Sequence, residues 1–444
     1  MKRKIYDQLL KWKKNNGQTA LLIEGARRVG KSYIAQELAK NEYKSYILLD
    51  FSIVSDSIKE LFVNYINDLD SFFLYLSTLT SVKLYERESL IIFDEVQFFP
   101  KARQAIKHLV ADGRYDYLET GSLISIKENV QDILIPSEEE KVKMFPMDFE
   151  EFCLATNNEG IYAEIERCFL DMKPMGVLHK KAMDLFRLYM IVGGMPKVVS
   201  TYIETRDFDQ VDRQKRLILS LYKDDINKSK YHRLYIKSIF DEIPAQLSKQ
   251  EKKFTFAASG GKYRDLIEPF EWLKDSMMVN VCYKTTEPNI GLKINMDKVT
   301  LKCFMGDTGL LISHAFDEKG IVTNEIYQKL LTNKLEVNKG MLMENIVSQM
   351  LVSGGNRLYY YQSSSIHAQD RMEIDFLIAK DKISNRHNIS PIEVKSGKYN
   401  AFTSIDKFTH KYKQYIDQVY ILTKDDLHIT NDKIFLPLYM AGLL

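Results

Sequence analysis

The chain has 444 residues, of which 45% are hydrophobic and 11% aromatic, and its 62 basic and 60 acidic residues nearly cancel. This composition excludes a disordered chain, which combines low hydrophobicity with a high net charge. We expect roughly two to four compact domains, each with its own core. Because the net charge is small, any contact with nucleic acid must be local.

The cysteines and the apolar segments indicate the compartment. The 4 cysteines lie far apart without a CxxC pair, which favours reduced thiols over a disulfide framework or a zinc knuckle. Charged residues interrupt the N-terminal segment, and no run of ~18 uncharged apolar residues is present. We therefore predict a soluble, cytoplasmic protein with no membrane partner.

Strands and helices alternate over residues 1–148. A helix is expected at residues 3–14, and helical segments separate the strands "ALLIE", "SYILLDF", "SLIIFDE" and "YDYLET". This alternation is typical of a parallel sheet with helices on both faces. The sequence therefore predicts an α/β core in this part of the chain.

The pattern changes after residue 148. Apolar residues at helical spacing over 149–230 predict a helical lid. Over 231–290, short helices, a turn at Pro244 and a helix running into the strand "VNVCYK" predict a winged-helix-like domain. Residues 291–444 mix strands with helices and predict a second α/β unit.

A phosphate-binding loop follows the first apolar strand. The segment "GARRVGKS" matches GxxxxGK[ST] and lies between a strand and a helix. Its glycines allow backbone N–H groups to face phosphates, while Lys31 reaches the β- and γ-oxygens and Ser32 offers a hydroxyl to Mg²⁺. We predict that ATP is bound by Gly25, Arg27, Arg28, Val29, Gly30, Lys31, Ser32 and Tyr33.

Two carboxylates end the strand "LIIFDE". A strand buried on both faces rarely ends in two acids without a functional reason. We predict that Asp94 holds Mg²⁺ and that Glu95 polarises the attacking water. The next strand ends in "ETGS", so Thr120 or Ser122 is expected to orient the water, or the segment is only a turn.

An arginine aimed at the γ-phosphate accelerates hydrolysis in many nucleotide hydrolases. The candidates here are Arg27, Arg28, Arg103 and Arg114. Their spacing does not select one of them.

Several segments together resemble the large prokaryotic family of AAA-superfamily ATPases that carry a C-terminal domain of unknown function. These segments are "EGARRVGKS", "EYKSYILLDF", "IIFDEVQ", "GRYDYLETGSLISI", "MFPMDFEEF" and "VGGMPKVV". The resemblance implies an AAA-type P-loop NTPase core, a helical lid, a winged helix and a nuclease-like C-terminal α/β domain at 291–444. Many relatives place a Gly-Arg pair where this chain reads "IPSEEEKVKMFP", which argues against a trans-acting arginine and an obligate ring. Assembly as a homo-oligomer is left open.

The C-terminal part contains a D…ExK pattern. Asp375 lies in one strand, and Glu393, 18 positions later, shares a face of another strand with Lys395. Two carboxylates on adjoining strands can hold Mg²⁺ over a phosphodiester while a lysine stabilises charge. The spacing resembles the PD-(D/E)XK nuclease superfamily, and Glu344 fits the helical glutamate that often completes its site. Alternatively, the fold keeps these residues for hydrogen bonding and has lost cleavage.

Two further features bear on DNA. Between Arg213 and Lys237, 8 basic residues face 2 acidic ones, which favours either phosphate binding or a solvated helical face. The strand "YYYQ" from Tyr359 to Gln362 offers base stacking or ordinary packing. We predict a Mg²⁺-dependent ATPase that controls a DNA-engaging C-terminal half. An ATP-gated DNA nuclease and a scaffold ATPase with a protein partner are the alternatives.

Overall fold

A computed structural model describes residues 1–121, 137–229, 232–249, 253–254, 264–289, 291–316, 324–331, 339–363, 370–379, 387–395, 397 and 402–444. The chain forms two compact units. The first comprises residues 2–145, and the second comprises residue 1 and residues 146–444. In the described residues, no helix has both the length and the apolarity needed to cross a membrane.

The first unit alternates strands with helices, as the sequence predicts. Its elements are α1 (Ile5–Lys13), β1 (Ala20–Gly25), α2 (Lys31–Glu42), β2 (Ser45–Asp50), α3 (Asp56–Asn64), α4 (Leu69–Thr80), β3 (Ser89–Asp94), α5 (Pro100–Asp112), β4 (Asp116–Gly121) and β5 (Glu139–Met144). Every residue of β1, β3 and β4 is buried. Such continuous burial is expected for the central strands of a parallel sheet with helices on both faces.

The five strands of the first unit lie in the order β2-β3-β4-β1-β5, and all neighbours are parallel. The predicted parallel α/β core is therefore confirmed. All five strands point the same way, so the ends of β1, β3 and β4 meet at one edge of the sheet. Ligands of such sheets bind outside the carboxyl ends of the strands.

The second unit contains more helices and a second sheet. Its elements are α6 (Phe149–Ala155), α7 (Glu159–Leu170), α8 (His179–Val192), α9 (Pro196–Thr205), α10 (Phe208–Lys228), α11 (Arg233–Ser248), α12 (Arg264–Asp275), β6 (Val279–Thr285), β7 (Met296–Met305), α13 (Thr308–Ala315), α14 (Asn324–Leu331), α15 (Lys339–Ser353), β8 (Tyr359–Ser363), β9 (Met372–Ala379), β10 (Ile389–Val394), α16 (Thr403–Tyr412), β11 (Val419–Thr423), β12 (His428–Thr430) and β13 (Lys433–Pro437).

Within the described residues, the sheet of the second unit has eight strands in the order β12-β13-β11-β10-β9-β8-β6-β7. Strands β6 and β7 pair antiparallel with each other across the boundary predicted at residue 290. The strand that follows α12 therefore belongs to the same sheet as the D…ExK strands β9 and β10. The finer division of this unit into lid, winged helix and nuclease-like domain stays a prediction.

The turn predicted at Pro244 is wrong. Helix α11 runs from Arg233 to Ser248 with Pro244 in its interior. Proline has no N–H, so the Phe240 carbonyl cannot receive the usual helical hydrogen bond from position 244. His314 Nε2 lies 2.9 Å from the Phe240 carbonyl oxygen and donates to it. This tertiary hydrogen bond gives the Phe240 carbonyl the donor that Pro244 lacks, and the helix continues to Ser248.

Candidate active site

The phosphate-binding loop connects β1 to α2, and its backbone conformations depend on glycine. Gly30 precedes α2 at a φ of 99°, a region that L side chains rarely adopt. At Gly25, a Cβ atom would lie 2.5 Å from the carbonyl oxygen of Met144. Both glycines of the motif are therefore required by geometry, one for its φ and one for a close approach to β5.

Lys31 is held inside the curve of the loop. Its side chain is buried, and Nζ donates to the carbonyls of Gly25 at 2.9 Å and Ala26 at 3.1 Å. These bonds keep an ammonium group at the start of α2, where N–H groups and the helix dipole also favour an anion. The arrangement suits the phosphate contact predicted for this residue.

Two hydroxyl groups converge on the Asp94 carboxylate. Ser32 Oγ donates to Asp94 Oδ1 at 2.7 Å, and Thr120 Oγ1 donates to the same oxygen. Asp94 ends β3 and Thr120 lies near the end of the neighbouring strand β4. A hydroxyl beside a carboxylate is the hard oxygen donor set that Mg²⁺ prefers, so these residues fit the ion.

Glu95 has a left-handed backbone, with a φ of 53°. Its N–H donates to Thr120 Oγ1 at 3.5 Å, and Gln97 Nε2 donates to its Oε2. A non-glycine residue in this region costs of order 1–3 kcal/mol, and such strain is often found at functional sites. Thr120 thus lies beside Glu95, whereas Ser122 lies outside the described residues. Gln97 was not predicted from the sequence, although it lies only two residues after Glu95.

The remaining loop residues differ in exposure. Val29 is buried, Arg27 is half-buried, and Arg28 and Tyr33 are exposed. Arg3 was not predicted either; its guanidinium donates to the carbonyls of Val29 at 3.0 Å and Phe145 at 2.7 Å. Arg3 therefore ties the loop to the end of the first unit.

Two of the four candidate arginines are engaged within the first unit. Arg103 is only 2% exposed and bonds Glu139 with two nitrogens, at 3.0 Å and 2.8 Å. Arg114 pairs with Asp112 and Asp70, each at 2.8 Å. Both guanidinium groups are therefore paired with carboxylates of the first unit. Arg27 and Arg28 stay candidates.

Arg103 belongs to a buried ionic cluster on β1, β4 and β5. Its Nε lies 3.9 Å from Glu119 Oε2, and Lys141 Nζ lies 3.7 Å from Glu24 Oε1. Burial and then the neighbouring Glu139 carboxylate raise the pKa of Glu119 well above its ordinary value. Arg103 is therefore a counter-ion for carboxylates in this cluster.

The D…ExK residues of the second unit lie on adjoining strands, as the sequence predicts. Asp375 lies on β9, and its Oδ2 accepts the N–H of Val394 on β10 at 2.8 Å. Lys395 Nζ donates to Glu393 Oε1 at 2.6 Å. Burial and then Asp375 raise the pKa of Glu393 to about 8.

Lys302 and Glu373 of this site were not predicted from the sequence, whereas Glu344 was. Lys302 on β7 is 2% exposed, and its Nζ lies 2.8 Å from Glu373 Oε1 and 3.9 Å from Asp375 Oδ1. Burial lowers the pKa of Lys302, but Glu344, Asp375 and Glu373 outweigh it and raise the pKa above its ordinary value. Glu344 on α15 is itself buried. Lys302 lies about 70 residues before the motif, so the motif gives no signal of it.

Over the described ranges, no group of three or more His, Cys, Asp or Glu residues has an arrangement that could hold a metal ion. The metal-binding roles of Glu344, Asp375 and Glu393 and the catalytic role of Lys395 therefore stay predictions.

The basic run between Arg213 and Lys237 and the strand "YYYQ" both contain buried side chains. Lys215 is fully buried and donates to the Ile191 carbonyl at 2.5 Å, and Arg216 Nε pairs with Asp212 at 2.7 Å. These two cations of the basic run are not available to phosphates, and Lys230 lies outside the described residues. Tyr359, Tyr360 and Tyr361 are buried, which fits core packing and not base stacking.

A match to a protein-family model covers most of the first unit. Residues 17–153 match the family model described as "AAA domain", which supports nucleotide binding and ATPase activity. Residues 183–319 and 339–440 match two models described as domains of unknown function, DUF8612 and DUF4143. No curated protein matches the chain. Among solved structures, "Structure of C. elegans PCH-2" has 12% identity and a TM-score of 0.21 over 37% of this chain and 46% of that chain.

Proposed function

We propose that the first unit binds ATP with Mg²⁺ and hydrolyses it. One observation carries the proposal: the hydroxyls of Ser32 and Thr120 converge on the Asp94 carboxylate, beside the loop that holds Lys31. The match of residues 17–153 to the AAA domain supports the same function. The site joins a phosphate cradle to oxygen ligands for a cation, and hydrolysis of a nucleoside triphosphate requires both.

Each residue has a separate role in this proposal. Lys31 contacts the β- and γ-phosphate oxygens, and backbone N–H groups of the loop hold the other phosphates. Ser32 and Asp94 would hold Mg²⁺, which neutralises phosphate charge when bound. Glu95 accepts a hydrogen bond from the attacking water and orients it, while Gln97 positions the Glu95 carboxylate.

The test separates binding from hydrolysis. Lys31→Ala should abolish ATP binding in calorimetry, because it removes the cation from the phosphate cradle. Glu95→Gln should keep ATP binding and reduce turnover by at least 100-fold, since an amide polarises water poorly. Lys40→Ala, at an exposed position of the same helix α2, is the control and should behave as wild type. Retained turnover in both Lys31→Ala and Glu95→Gln would contradict the proposal.

The proposal extends to the second unit, which we expect to engage DNA in a way that depends on the bound nucleotide. Exposed cations on α10 and α11 support it: Arg213, Lys228, Arg233 and Lys237. Exposed cations neutralise phosphates and release counter-ions, so binding should weaken steeply with salt. Only a difference in DNA affinity between the ATP and ADP states can couple the two events.

Fluorescence anisotropy with duplex DNA at several salt concentrations tests this extension. Arg233→Ala combined with Lys237→Ala should reduce the log-log salt slope by roughly 2, because each lost phosphate contact removes ~0.9. Lys180→Ala combined with Lys181→Ala, at exposed positions of α8, is the matched control. Binding that is absent or insensitive to salt would favour a protein partner instead.

A further inference from the structure

Four carboxylates and two ammonium groups meet on one side of the sheet of the second unit. We call this set the C-terminal acidic cluster: Glu344, Glu373, Asp375, Glu393, Lys302 and Lys395. Only Asp375, Glu393 and Lys395 come from the D…ExK motif. Lys302 comes from β7, which is an edge strand of the sheet and is separated from β9 by two other strands.

The side chain of Lys302 reaches the cluster through the interior. Strands β6 and β8 lie between β7 and β9. The Lys302 ammonium lies over the Tyr360 ring of β8, 4.9 Å from the ring centroid. Its bond to Glu373 at 2.8 Å therefore joins two strands that are not neighbours. A fully buried ammonium requires such partners, because desolvating an unpaired charge is costly.

Some of the carboxylate oxygens of the cluster are already engaged, whereas Glu393 Oε2 is buried without a hydrogen-bond partner in the described part of the chain. Asp375 Oδ2 accepts the Val394 N–H at 2.8 Å, and Asp375 Oδ1 lies 3.9 Å from Lys302 Nζ. Glu393 Oε1 accepts from Lys395 at 2.6 Å. Mg²⁺ needs near-octahedral oxygen ligands at about 2.0–2.1 Å. The Lys302 ammonium lies 3.9 Å from Asp375 Oδ1, so it supplies positive charge to these carboxylates and repels a divalent cation. Together with the lack, among the described residues, of three or more His, Cys, Asp or Glu arranged to hold a metal ion, this argues that the residues do not fit a metal.

We propose that Lys302 is the built-in cation of the C-terminal acidic cluster, in the place where a PD-(D/E)XK nuclease carries its divalent metal. In this assignment the cluster fastens β7 to β9 and does not cleave phosphodiesters. The second unit then engages its partner without breaking a covalent bond. The inference does not depend on ATP hydrolysis, because it concerns residues of the second unit alone.

The test is a Mn²⁺ titration of the nucleotide-free, full-length protein, followed by calorimetry and by the melting temperature. Wild type and Asp375→Asn should give the same isotherm, because no metal site involves Asp375. Lys302→Met should gain a Mn²⁺ site, and Mn²⁺ should raise its melting temperature by several degrees. The double variant Lys302→Met/Asp375→Asn should lose that gain, while Lys298→Met, at an exposed position of β7, should match wild type.

Two results overturn the inference. One is a saturable Mn²⁺ site in wild type that Asp375→Asn removes, or plasmid cleavage that the same substitution abolishes. The other is a folded Lys302→Met protein that gains no Mn²⁺ site. If Lys302→Met does not fold, the comparison of wild type with Asp375→Asn decides alone. Failure here leaves the ATPase proposal intact, since no nucleotide is present in the titration.

Discussion

The Ser32 hydroxyl donates a 2.7 Å hydrogen bond to Asp94 Oδ1, although 62 positions separate the two residues. The bond joins the first turn of α2 to the end of β3. Strand β4 lies between β1 and β3 in the sheet and contributes Thr120 to the same carboxylate oxygen. The order of the strands therefore assembles the predicted cation site from three separate segments.

Ser32→Ala should increase the Mg²⁺ concentration needed for half-maximal ATP hydrolysis by about tenfold, equivalent to about 1.4 kcal/mol. The substitution removes a hydroxyl ligand and leaves the phosphate cradle intact. Affinity for ATP without Mg²⁺ should therefore stay within about twofold of wild type. Ser57→Ala, at an exposed position of α3, is the control. An unchanged Mg²⁺ requirement would show that Ser32 does not serve the cation.

Gly25→Ala should destabilise the first unit and abolish ATP binding. The added Cβ would lie 2.5 Å from the Met144 carbonyl oxygen, so the backbone at Gly25 or at Met144 would have to move. Gly113→Ala is a matched control, because Gly113 has a φ of +75° but no atom within 4 Å of the added Cβ. We expect the control to lose about 1 kcal/mol from its left-handed conformation, and Gly25→Ala to lose clearly more in chemical denaturation. Equal losses would contradict a steric role for Gly25.

Lys215→Met should remove a pH dependence of stability. Burial lowers the pKa of Lys215 from 10.5 to about 8. Between those values the unfolded chain binds a proton that the folded protein does not, so stability rises with pH in this window. Wild type should therefore gain about 3 kcal/mol relative to Lys215→Met between pH 8 and 10.5.

Denaturant titrations of both proteins across this pH range provide the measurement. Lys228→Met, at an exposed position of the same helix α10, should follow the wild-type curve. Parallel curves for wild type and Lys215→Met would mean that the buried ammonium does not titrate there.

His314→Ala should destabilise the second unit by about 1–3 kcal/mol, because it removes a buried hydrogen-bond donor to the Phe240 carbonyl. Pro244→Ala should recover part of this loss, since alanine brings an N–H at position 244 that can bond Phe240 within the helix. The two substitutions should therefore be non-additive in a double-mutant cycle.

The control for this cycle is Pro196→Ala, because Pro196 occupies the first turn of α9, where no helical N–H bond is missing. It should give additive effects with His314→Ala. Additivity of Pro244→Ala with His314→Ala would contradict the compensating role of His314.

Local patterns determined much of the first unit. The strands that end at Gly25, Asp94 and Gly121 are buried over their length, and helices alternate with them along the chain. The phosphate loop begins at the last residue of the first of these strands, and the two acids lie at the end of the second. Short-range periodicity and backbone requirements are written in consecutive residues, so the sequence alone is sufficient to predict them.

The sequence by itself determined the parallel α/β core, and it predicted the residues of the candidate nucleotide site at the ends of the core strands. Only the tertiary structure decided that Arg3 fastens the phosphate loop, that Lys215 is buried, that His314 permits Pro244 inside a helix, and that Lys302 joins the C-terminal acidic cluster. Each of these contacts joins segments far apart in the chain. Their existence depends on strand order and helix packing, which no local period or spacing of residues encodes.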